Sequence, residues 1–301
     1  MPDRANTPTR LISPGVANML LATFAFAVMN VFVKQLDRIP AMEIVFFRCL
    51  VSAGICFVGI ARVGADWKGN NNALLLARGT FGTLALFMFF VTVQNIPLAT
   101  AVTIAYLAPI FTALIGVFLL GEHVRKLQWM FYAIAFAGVL VIKGFDAAVP
   151  TPFLITGIVS AVCAAVAYNL VRRLKEQEHP LVVVLHFQLV GVVAGFVFTL
   201  LYWVAPANAW EWFSLLMCGL LTQVGQTCLT NALQSERLAR VSILNYTGLI
   251  YALAFGVFIF GEVYTMQTMV GIGFVVVGVL LSVVYGKRKP LEVIEESELA
   301  E

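Results

Sequence analysis

Charged residues are scarce in this sequence. Asp, Glu, Lys and Arg make up 12% of its 301 positions, whereas about a quarter of the residues in soluble domains are charged. Hydrophobic residues make up 61% of the chain, which is more apolar surface than a water-soluble core of this size can bury. The composition therefore excludes a soluble globular protein. The net charge of +3 is small and scattered, so we also expect no nucleic-acid partner.

Paired cysteines and clustered histidines are also missing. The chain has five cysteines and three histidines, but it has no C-x-x-C pair and no histidines at the spacing of metal ligands. All five cysteines fall inside apolar runs, where free thiols behave as small hydrophobic side chains. We therefore expect no disulfide, no metal site and no cofactor. The cysteines are Cys49, Cys56, Cys163, Cys218 and Cys228.

The sequence instead contains ten long apolar runs. Bilayer hydrocarbon is about 30 Å thick and requires about 20 apolar residues per helix, which is close to the length of each run. The runs are apolar on every face, whereas the strands of a membrane β-barrel would alternate in polarity. The first run is too long for the core of a signal peptide, so we expect it to be retained. The predicted spans are 13–33, 41–61, 73–94, 99–121, 127–145, 152–171, 180–203, 212–233, 239–260 and 265–285.

The basic residues between the runs predict the orientation of the chain. Of the seventeen Lys and Arg residues outside the predicted spans or near their ends, fourteen lie on the side of the N-terminus and three on the other side. Because basic loops stay in the cytoplasm, this imbalance predicts an even number of spans with both termini cytoplasmic. We expect a multi-pass protein of the cell's inner (plasma) membrane, with a cytoplasmic segment at 1–12 and an acidic cytoplasmic tail at 286–301.

The chain contains an internal repeat. When the sequence is shifted by 140 residues, segment 98–122 aligns with 238–262 with nine identities in 25 positions. Both segments end in Gly-Glu, and Tyr106 aligns with Tyr246. Shared apolar composition alone would give fewer matches, so the alignment indicates a duplication.

The repeat predicts two halves of opposite orientation. Each half holds five predicted spans, at 13–145 and 152–285, and because five is odd the second half enters the membrane from the opposite side. Inverted repeats recur in secondary transporters, where two related halves exchange conformations around a central site. The predicted fold is therefore an all-α membrane protein of ten transmembrane helices in two inverted five-helix repeats.

Three stretches of the sequence resemble the EamA branch of the drug/metabolite transporter superfamily. They are the Arg78-Gly79 pair that opens the third span, IPLATA at 96–101, and APIFTALIGVFLLGE at 108–122. The second half repeats the last pattern as GLIYALAFGVFIFGE at 248–262, without its proline. The resemblance covers nearly the whole chain and implies a ten-helix metabolite transporter. The superfamily carries amino acids, nucleotide sugars, vitamins and organic anions, so the resemblance does not select a substrate.

Two arginines lie inside predicted spans, where ionisable groups are expensive and mark functional sites. Arg48 lies about seven residues, or about 10 Å of helix, into the second span. We predict that it faces the interior and anchors a carboxylate or phosphate, because a guanidinium offers a bidentate fork. A structural role, tying helix ends or carbonyl groups together, is the alternative. Arg78 lies one or two turns inside its span, and we predict a role in gating or structure.

Uncharged polar residues are predicted to line the path of a solute. A two-fold axis would bring the Asn and Tyr pairs that the repeat relates toward the midplane, and glutamines of the eighth span share one helical stripe. Gln188 aligns with Arg48 at the 140-residue shift. The alternative for these side chains is hydrogen bonding between helices. The predicted substrate-binding residues besides Arg48 are Asn30, Asn169, Tyr106, Tyr246, Tyr168, Gln188, Gln223 and Gln226.

Acidic residues are missing from the interior of the predicted spans. Glu122 and Glu262 instead end the fourth and ninth spans at opposite faces, where we predict that they form gating ion pairs or cap helix junctions. Because no carboxylate lies deep in a span, a carboxylate proton relay is not expected. Facilitated diffusion or exchange is the simpler prediction.

The leading hypothesis is a secondary transporter of small organic metabolites, such as amino acids or organic anions, that works by alternating access. Export is an expectation from the resemblance. The alternative is a membrane-embedded enzyme acting on a lipid-linked or phosphorylated substrate, but the sequence has no H-E-x-x-H motif, aspartate cluster or P-loop, so we expect no enzyme. A channel would need a filter sequence that is missing. The expected partners are a small-molecule substrate and membrane lipid, and a homodimer is left open.

Overall fold

The computed structural model describes residues 13–64, 66–120, 126–143, 149–174, 177–235 and 244–286. Within those ranges the chain forms α-helices joined by short connections, and no β-strand occurs there. The first half contains α1 (Pro14–Gln35), α2 (Ala41–Val63), α3 (Asn72–Asn95), α4 (Leu98–Ala105), α5 (Ala108–Leu120) and α6 (Lys126–Lys143). The second half contains α7 (Thr151–Leu174), α8 (Pro180–Tyr202), α9 (Ala209–Ser235), α10 (Thr247–Phe260) and α11 (Met266–Gly286).

The helices confirm the predicted ten-span architecture. Eight segments are long and apolar enough to cross a bilayer, and one of them, Leu98–Gly116, joins α4 to most of α5. Two further apolar helices, Leu127–Lys143 and Thr247–Phe260, are shorter. Helices satisfy their own backbone hydrogen bonds, which is why an apolar chain adopts them in lipid.

The connections lie at two faces of the bundle. α1 begins and α11 ends at one face, which we call the terminal face. There the Glu178 carboxylate accepts hydrogen bonds from the backbone N–H groups of Asn70 and Asn71, at 2.5 and 2.6 Å, and so joins the loop before α3 to the loop before α8. At the other face, which we call the opposite face, the Glu43 carboxylate accepts a hydrogen bond from the Val204 N–H at 3.1 Å.

The packing of the helices is symmetric between the halves. α1 packs on α9, and the equivalent pair, α7 and α3, packs in the same way. α10 packs on α1, as its equivalent α5 packs on α7. α2 packs on its own equivalent α8, and α6 packs on its own equivalent α11. A two-fold axis between the halves accounts for all of these pairs.

The contact between α6 and α11 shows how the two halves are oriented relative to each other. A Cβ atom added to Gly138 would lie 2.6 Å from the Gly271 carbonyl oxygen, and one added to Gly278 would lie 2.7 Å from the Phe131 carbonyl oxygen. Residue numbers therefore rise along α6 as they fall along α11, so the two helices are antiparallel. Because these helices are equivalent members of the two halves, the halves are inverted, as the odd number of spans predicted.

The two halves have a turn at equivalent positions of the repeat, Tyr106 in the first half and Tyr246 in the second. α4 ends at Ala105 and α5 begins two residues after Tyr106. In the second half, Tyr246 is the equivalent turn residue and precedes α10. The first break is followed by Pro109 and the second by Leu249, so the proline is not required for the interruption.

Candidate functional site

A cavity of about 280 Å³ lies among α2, α3, α7, α8 and α9, beside the break between α4 and α5. Its lining runs from Ala105 and Ala108 at the break to Leu229 in the part of α9 nearer the terminal face. Most of the wall consists of small or apolar side chains. The charged and polar residues that line it are Arg48, Arg78, Ser160, Tyr168 and Gln226.

Arg48 is held at this cavity by contacts within the bundle. The residue is 3% exposed, and its Nε atom donates a hydrogen bond of 2.8 Å to Thr222 Oγ1 on α9. The Thr222 hydroxyl in turn donates to Met29 Sδ at 3.0 Å, and Nη1 of Arg48 lies 3.6 Å from Cys49 Sγ. The guanidinium is therefore fixed in the interior, as the sequence predicted, while one side of it borders the cavity.

Arg78 reaches the same cavity from α3. Its Cζ atom lies 4.2 Å from the centroid of the Phe187 ring, and Arg48 Cζ lies 5.6 Å from that centroid. Nε and Nη1 of Arg78 are buried and have no hydrogen-bond partner within the described chain. Gly82, one helical turn further along α3, leaves the space that the Arg78 guanidinium occupies. Both arginines therefore border one cavity and share one aromatic ring.

The charge of this cavity is not balanced by the protein. The ion pairs in the described ranges join Lys34 to Glu262 and Arg38 to Glu211, so neither cavity arginine has a carboxylate partner there. None of the described residues that line the cavity is acidic. Because arginine remains protonated in proteins, the cavity is strongly positive and can attract an anion.

Three of the predicted polar residues, Gln188, Gln223 and Gln226, lie between the buried interior and a groove that opens near the terminal face. The fully buried Gln188 donates from Nε2 to Ser52 Oγ at 2.9 Å, and the Ser52 hydroxyl donates to Gln223 Oε1 at 2.7 Å. Gln223 lines a second groove of about 260 Å³ between α8 and α9. Gln226 lines both this groove and the arginine cavity. The groove begins at His179, the first residue before α8.

The repeat-related tyrosines contact each other at the two helix breaks. The ring centroids of Tyr106 and Tyr246 are 4.8 Å apart. Tyr106 Oη donates to the Asn245 carbonyl oxygen at 2.9 Å, whereas Tyr246 Oη is buried without a hydrogen-bond partner among the residues described. Neither ring lines the arginine cavity, so the structure places this pair at the contact between the two broken spans.

The repeat-related asparagines are buried between helices. Asn169 is 1% exposed, and its Nδ2 atom donates to the carbonyl oxygens of Thr112 and Ala165, each at 3.0 Å. Asn30 is 7% exposed, and its Oδ1 atom has no partner in the described part of the chain. Neither asparagine lines the arginine cavity. The bond from Asn169 to Thr112 joins α7 to α5 and is of the interhelical kind considered as its alternative role, whereas the bond to Ala165 lies within α7.

Glu262 follows α10 and contacts α1 and the start of α4 at the opposite face. Its Oε1 atom lies 2.8 Å from Lys34 Nζ at the end of α1. Both of its carboxylate oxygens accept from the Leu98 N–H at the start of α4, at 3.0 and 2.9 Å, and Oε2 accepts from the Tyr264 hydroxyl. Lys34 Nζ also donates to the Ile96 carbonyl oxygen at 2.7 Å, after the end of α3. We call this arrangement of Lys34, Glu262, Tyr264 and the N-terminus of α4 the Glu262 junction.

The chemistry of the Glu262 junction suits a negative carboxylate. A helix N-terminus has free N–H groups and a positive dipole end, which stabilise an anion. Burial and the neighbouring Glu262 carboxylate raise the pKa of the Tyr264 hydroxyl, so that it keeps the proton it donates. The sequence predicted a gating ion pair or a helix cap for Glu262. The structure shows an ion pair with Lys34 and contacts with the N-terminus of α4, and gating stays a prediction. Glu122, its repeat equivalent, lies outside the described residues.

The interior below the Glu262 junction is closed. Leu36, Ile39, Ile96 and Leu98, which lie in or beside the connections at this face, are each at most 2% exposed. The arginine cavity and the groove that Gln226 connects to it instead extend toward the terminal face. The bundle is thus sealed at one face and hollow toward the other.

Sequence reasoning missed several residues of this site. Phe187 and Thr222 contact the arginines, and Ser52 bonds Gln188 and Gln223. Hydroxyl and aromatic side chains are common in membrane helices and carry no distinguishing pattern. The available signal was the alignment of Gln188 with Arg48, which pointed to the α2 and α8 pair. Lys34 lies at the end of α1, a position typical of anchors at the membrane surface, but its side chain is 14% exposed and forms an ion pair.

Known proteins resemble this chain over most of its length. The EamA-like transporter family matches residues 13–144 and again residues 151–284. The pseudopaline exporter CntI of Pseudomonas aeruginosa is 30% identical over 263 residues, which cover 87% of this chain and 93% of that protein. Human solute carrier family 35 member G1 is 26% identical, covering 85% of this chain and 75% of that protein. A solved crystal structure with 18% sequence identity superposes with a TM-score of 0.63, over 91% of this chain and 98% of that one, and shows the same fold.

Proposed function

We propose that this chain, which belongs to the EamA-like transporter family within the drug/metabolite transporter superfamily, is a secondary transporter that binds a small organic metabolite in the arginine cavity. It moves the metabolite by alternating access between the two inverted halves. Two proteins that resemble it move metabolites: one is a pseudopaline exporter and another, 22% identical and from Rickettsia prowazekii, is an S-adenosylmethionine uptake transporter. Amino acids and organic anions are the two substrate classes that the sequence favoured.

One observation carries the proposal. A cavity with two charged side chains lies between the halves, and the Glu262 junction holds the halves together at the opposite face. Membrane arginines without partners are costly and are retained where they bind something. A cavity that reaches one face and is sealed from the other fits one of the two end states that alternating access requires.

The second end state follows from the symmetry of the fold. Because the halves are inverted equivalents, exchanging their conformations converts a bundle sealed at the opposite face into one sealed at the terminal face. This exchange requires the Glu262 junction to separate, since it joins α1 and α4 of the first half to the end of α10. The stacked Tyr106 and Tyr246 lie at the two breaks around which the halves would move.

We assign the terminal face to the cytoplasm and the protein to the inner (plasma) membrane. Arg62, Lys68, Arg172 and Arg173 lie at or near that face, where basic residues favour the cytoplasmic side. Export follows if the cavity loads from the cytoplasm, and either exchange or facilitated diffusion is compatible with it. Labelling of cysteines placed in the loops from outside intact cells would test the orientation.

Counterflow into reconstituted vesicles tests the carrier mechanism. We expect uptake of a labelled substrate to saturate and to be accelerated by unlabelled substrate inside, because a carrier returns faster when loaded. The probes are labelled alanine, glutamate, succinate and butyrate, and vesicles without protein are the control. Uptake that rises linearly with concentration would indicate a channel, and chemical conversion of a probe without uptake would indicate an enzyme.

Gly82→Ala is expected to weaken ligand binding without unfolding the protein. A methyl group there would collide with Nη1 of Arg78 and lie 3.0 Å from the Phe187 ring, so the guanidinium must move out of its place. We expect the apparent affinity of an anionic ligand to fall about tenfold, which corresponds to about 1.4 kcal/mol. Ligand-induced thermal stabilisation of the purified protein measures the change.

The matched control for this prediction is Gly54→Ala on α2. Nothing lies within 4 Å of a Cβ atom at Gly54, so that variant should bind ligand as the original protein does. Equal ligand responses in the two variants would show that the Arg78 guanidinium takes no part in binding.

A further inference from the structure

The arginine cavity presents two cations at separate positions. Arg48 comes from α2 and Arg78 from α3, and each guanidinium stands over the ring of Phe187, at 5.6 and 4.2 Å from its centroid. The two groups therefore lie no further apart than the sum of those distances. Arg48 is anchored by Thr222 through one nitrogen, whereas two buried nitrogens of Arg78 have no partner within the described ranges.

We propose that the ligand of this cavity is an organic dianion with two separate acidic groups, one for each guanidinium, such as a dicarboxylate. This inference rests on the proposed carrier function and specifies its substrate class. Each acidic group would accept paired hydrogen bonds from one guanidinium fork, the strongest type of hydrogen bond between side chains and carboxylates. Binding would neutralise both charges, which no described lining residue does.

The two fixed positions of the cations select the arrangement of the anions. Phe187 and Thr222 hold the guanidinium groups in place, so the separation between the acidic groups of the ligand has to match them. A monocarboxylate has one acidic group for two guanidinium groups, and a buried cation without an anionic partner is unfavourable. Two acidic groups on one molecule satisfy both at once.

The remaining wall of the cavity favours a short apolar connector between the acids. Beside the arginines the wall includes Ala85, Leu86, Phe89, Ala161 and Ala164. The volume of about 280 Å³ is at the lower end of small-molecule pockets. A short hydrocarbon chain fits such a wall, and it needs no hydrogen-bond partners there.

The same cavity disfavours a neutral amino acid. An ammonium group binds best beside a carboxylate, whereas the charged side chains that line the cavity are two cations. Ser160 donates its hydroxyl hydrogen to the Ala85 carbonyl oxygen at 2.7 Å, so that carbonyl is already engaged. Of the two substrate classes considered, the structure therefore favours organic anions.

A chain-length series of dicarboxylates tests the proposal. The purified protein is heated with malonate, succinate, glutarate or adipate, and the melting temperature is compared with that in butyrate, alanine, sulfate and glycerol 3-phosphate at equal ionic strength. We expect dicarboxylates to stabilise most, with one chain length optimal, because a ligand that binds the folded form raises apparent stability. Stabilisation by alanine but by no dicarboxylate would overturn the proposal, and so would a larger response to glycerol 3-phosphate than to every dicarboxylate.

Variants of the two arginines complete the test. Arg48→Gln and Arg78→Gln should each lower the apparent affinity for the best dicarboxylate by about tenfold or more, and Arg48→Lys and Arg78→Lys should lose less because they keep the charge. Arg62→Gln, at the exposed end of α2, is the control and should respond normally. If a glutamine variant does not fold, its lysine variant still reports. Unchanged affinity in all four arginine variants would contradict the proposal.

Counterflow separates this inference from the carrier function. Saturable exchange of labelled alanine that is insensitive to Arg48→Gln would support the carrier function and contradict the proposal of a dianionic substrate. Tight binding of a dicarboxylate that is never exchanged across the vesicle membrane would preserve the binding site and remove the carrier.

Discussion

Replacing Glu262 with glutamine is expected to release the opposite face of the bundle. The substitution removes the negative charge that pairs with Lys34 and that stabilises the N-terminus of α4. The two side chains are only 14% and 11% exposed, so Lys34 would be left as a mostly buried charge without a carboxylate partner, at a cost of about 3 kcal/mol. We expect a lower melting temperature and a shift of the population toward the state that is open at this face.

Cysteine labelling can detect that shift. Ala101 lies one turn into α4 and is 1% exposed, so Ala101→Cys should resist a membrane-impermeant maleimide while the Glu262 junction is intact. Added to Glu262→Gln, it should react several times faster. The same variants without the introduced cysteine correct for the native thiols. Equal rates with and without Glu262→Gln would show that the junction does not close this face.

A nearby ion pair supplies the control. Glu211 pairs with Arg38 at 3.4 Å, but the Arg38 side chain is 55% exposed, and exposed pairs contribute about 1 kcal/mol or less. Glu211→Gln should therefore leave the labelling rate of Ala101→Cys unchanged.

In the double variant Lys34→Met with Glu262→Gln no charge is left unpaired, so its loss of stability should be smaller than the sum of the losses in the two single variants. A strictly additive loss would mean that the two side chains do not act together.

Gly271→Ala is expected to separate α6 from α11 and to destabilise the whole bundle. A Cβ atom there would lie 2.7 Å from the Gly138 carbonyl oxygen and 2.8 Å from the Ile142 backbone nitrogen. Backbone atoms in a helix cannot move aside singly, so the helices must shift apart. Overpacking of this kind costs about 1–3 kcal/mol. Thermal unfolding of the purified protein and the yield of folded protein in the membrane measure the effect.

Gly273, on the same helix, is the control. Nothing lies within 4 Å of a Cβ atom at Gly273, and alanine is about 1 kcal/mol better than glycine in a helix. Gly273→Ala should therefore keep or raise the melting temperature while Gly271→Ala lowers it. Similar changes in both variants would show that close contact between these helices contributes little to stability.

The contact between α6 and α11 and the Glu262 junction both join the two halves of the protein. α6 and α11 are equivalent helices that pack on each other at the two-fold axis, so their glycine contacts hold the halves together. The Glu262 junction joins the same halves at one face only. A carrier that alternates needs one contact between its halves that persists and another that breaks. We propose that the glycine contacts are of the first kind and the Glu262 junction of the second.

Some of the polar residues singled out from the sequence line the cavity, and others do not. Arg48, Arg78, Tyr168 and Gln226 line it, and Gln223 lines the adjoining groove. The paired asparagines and tyrosines lie elsewhere, because repeat equivalence places two residues symmetrically about the axis without placing them at the cavity. A polar side chain in a membrane helix must find a partner, and a neighbouring helix can provide it as well as a ligand can.

The sequence by itself determined the composition-driven features of this protein. Its apolar runs are long enough to span lipid and its halves align at a fixed shift, so the helices, their number and their inverted relation follow from residue order alone. Only the tertiary structure decided which polar groups meet. That Arg48 and Arg78 share Phe187 and that Lys34 meets Glu262 depends on contacts between residues tens to hundreds of positions apart. Such contacts are set by how the helices rotate and pack, and the hydropathy of each separate helix does not specify either.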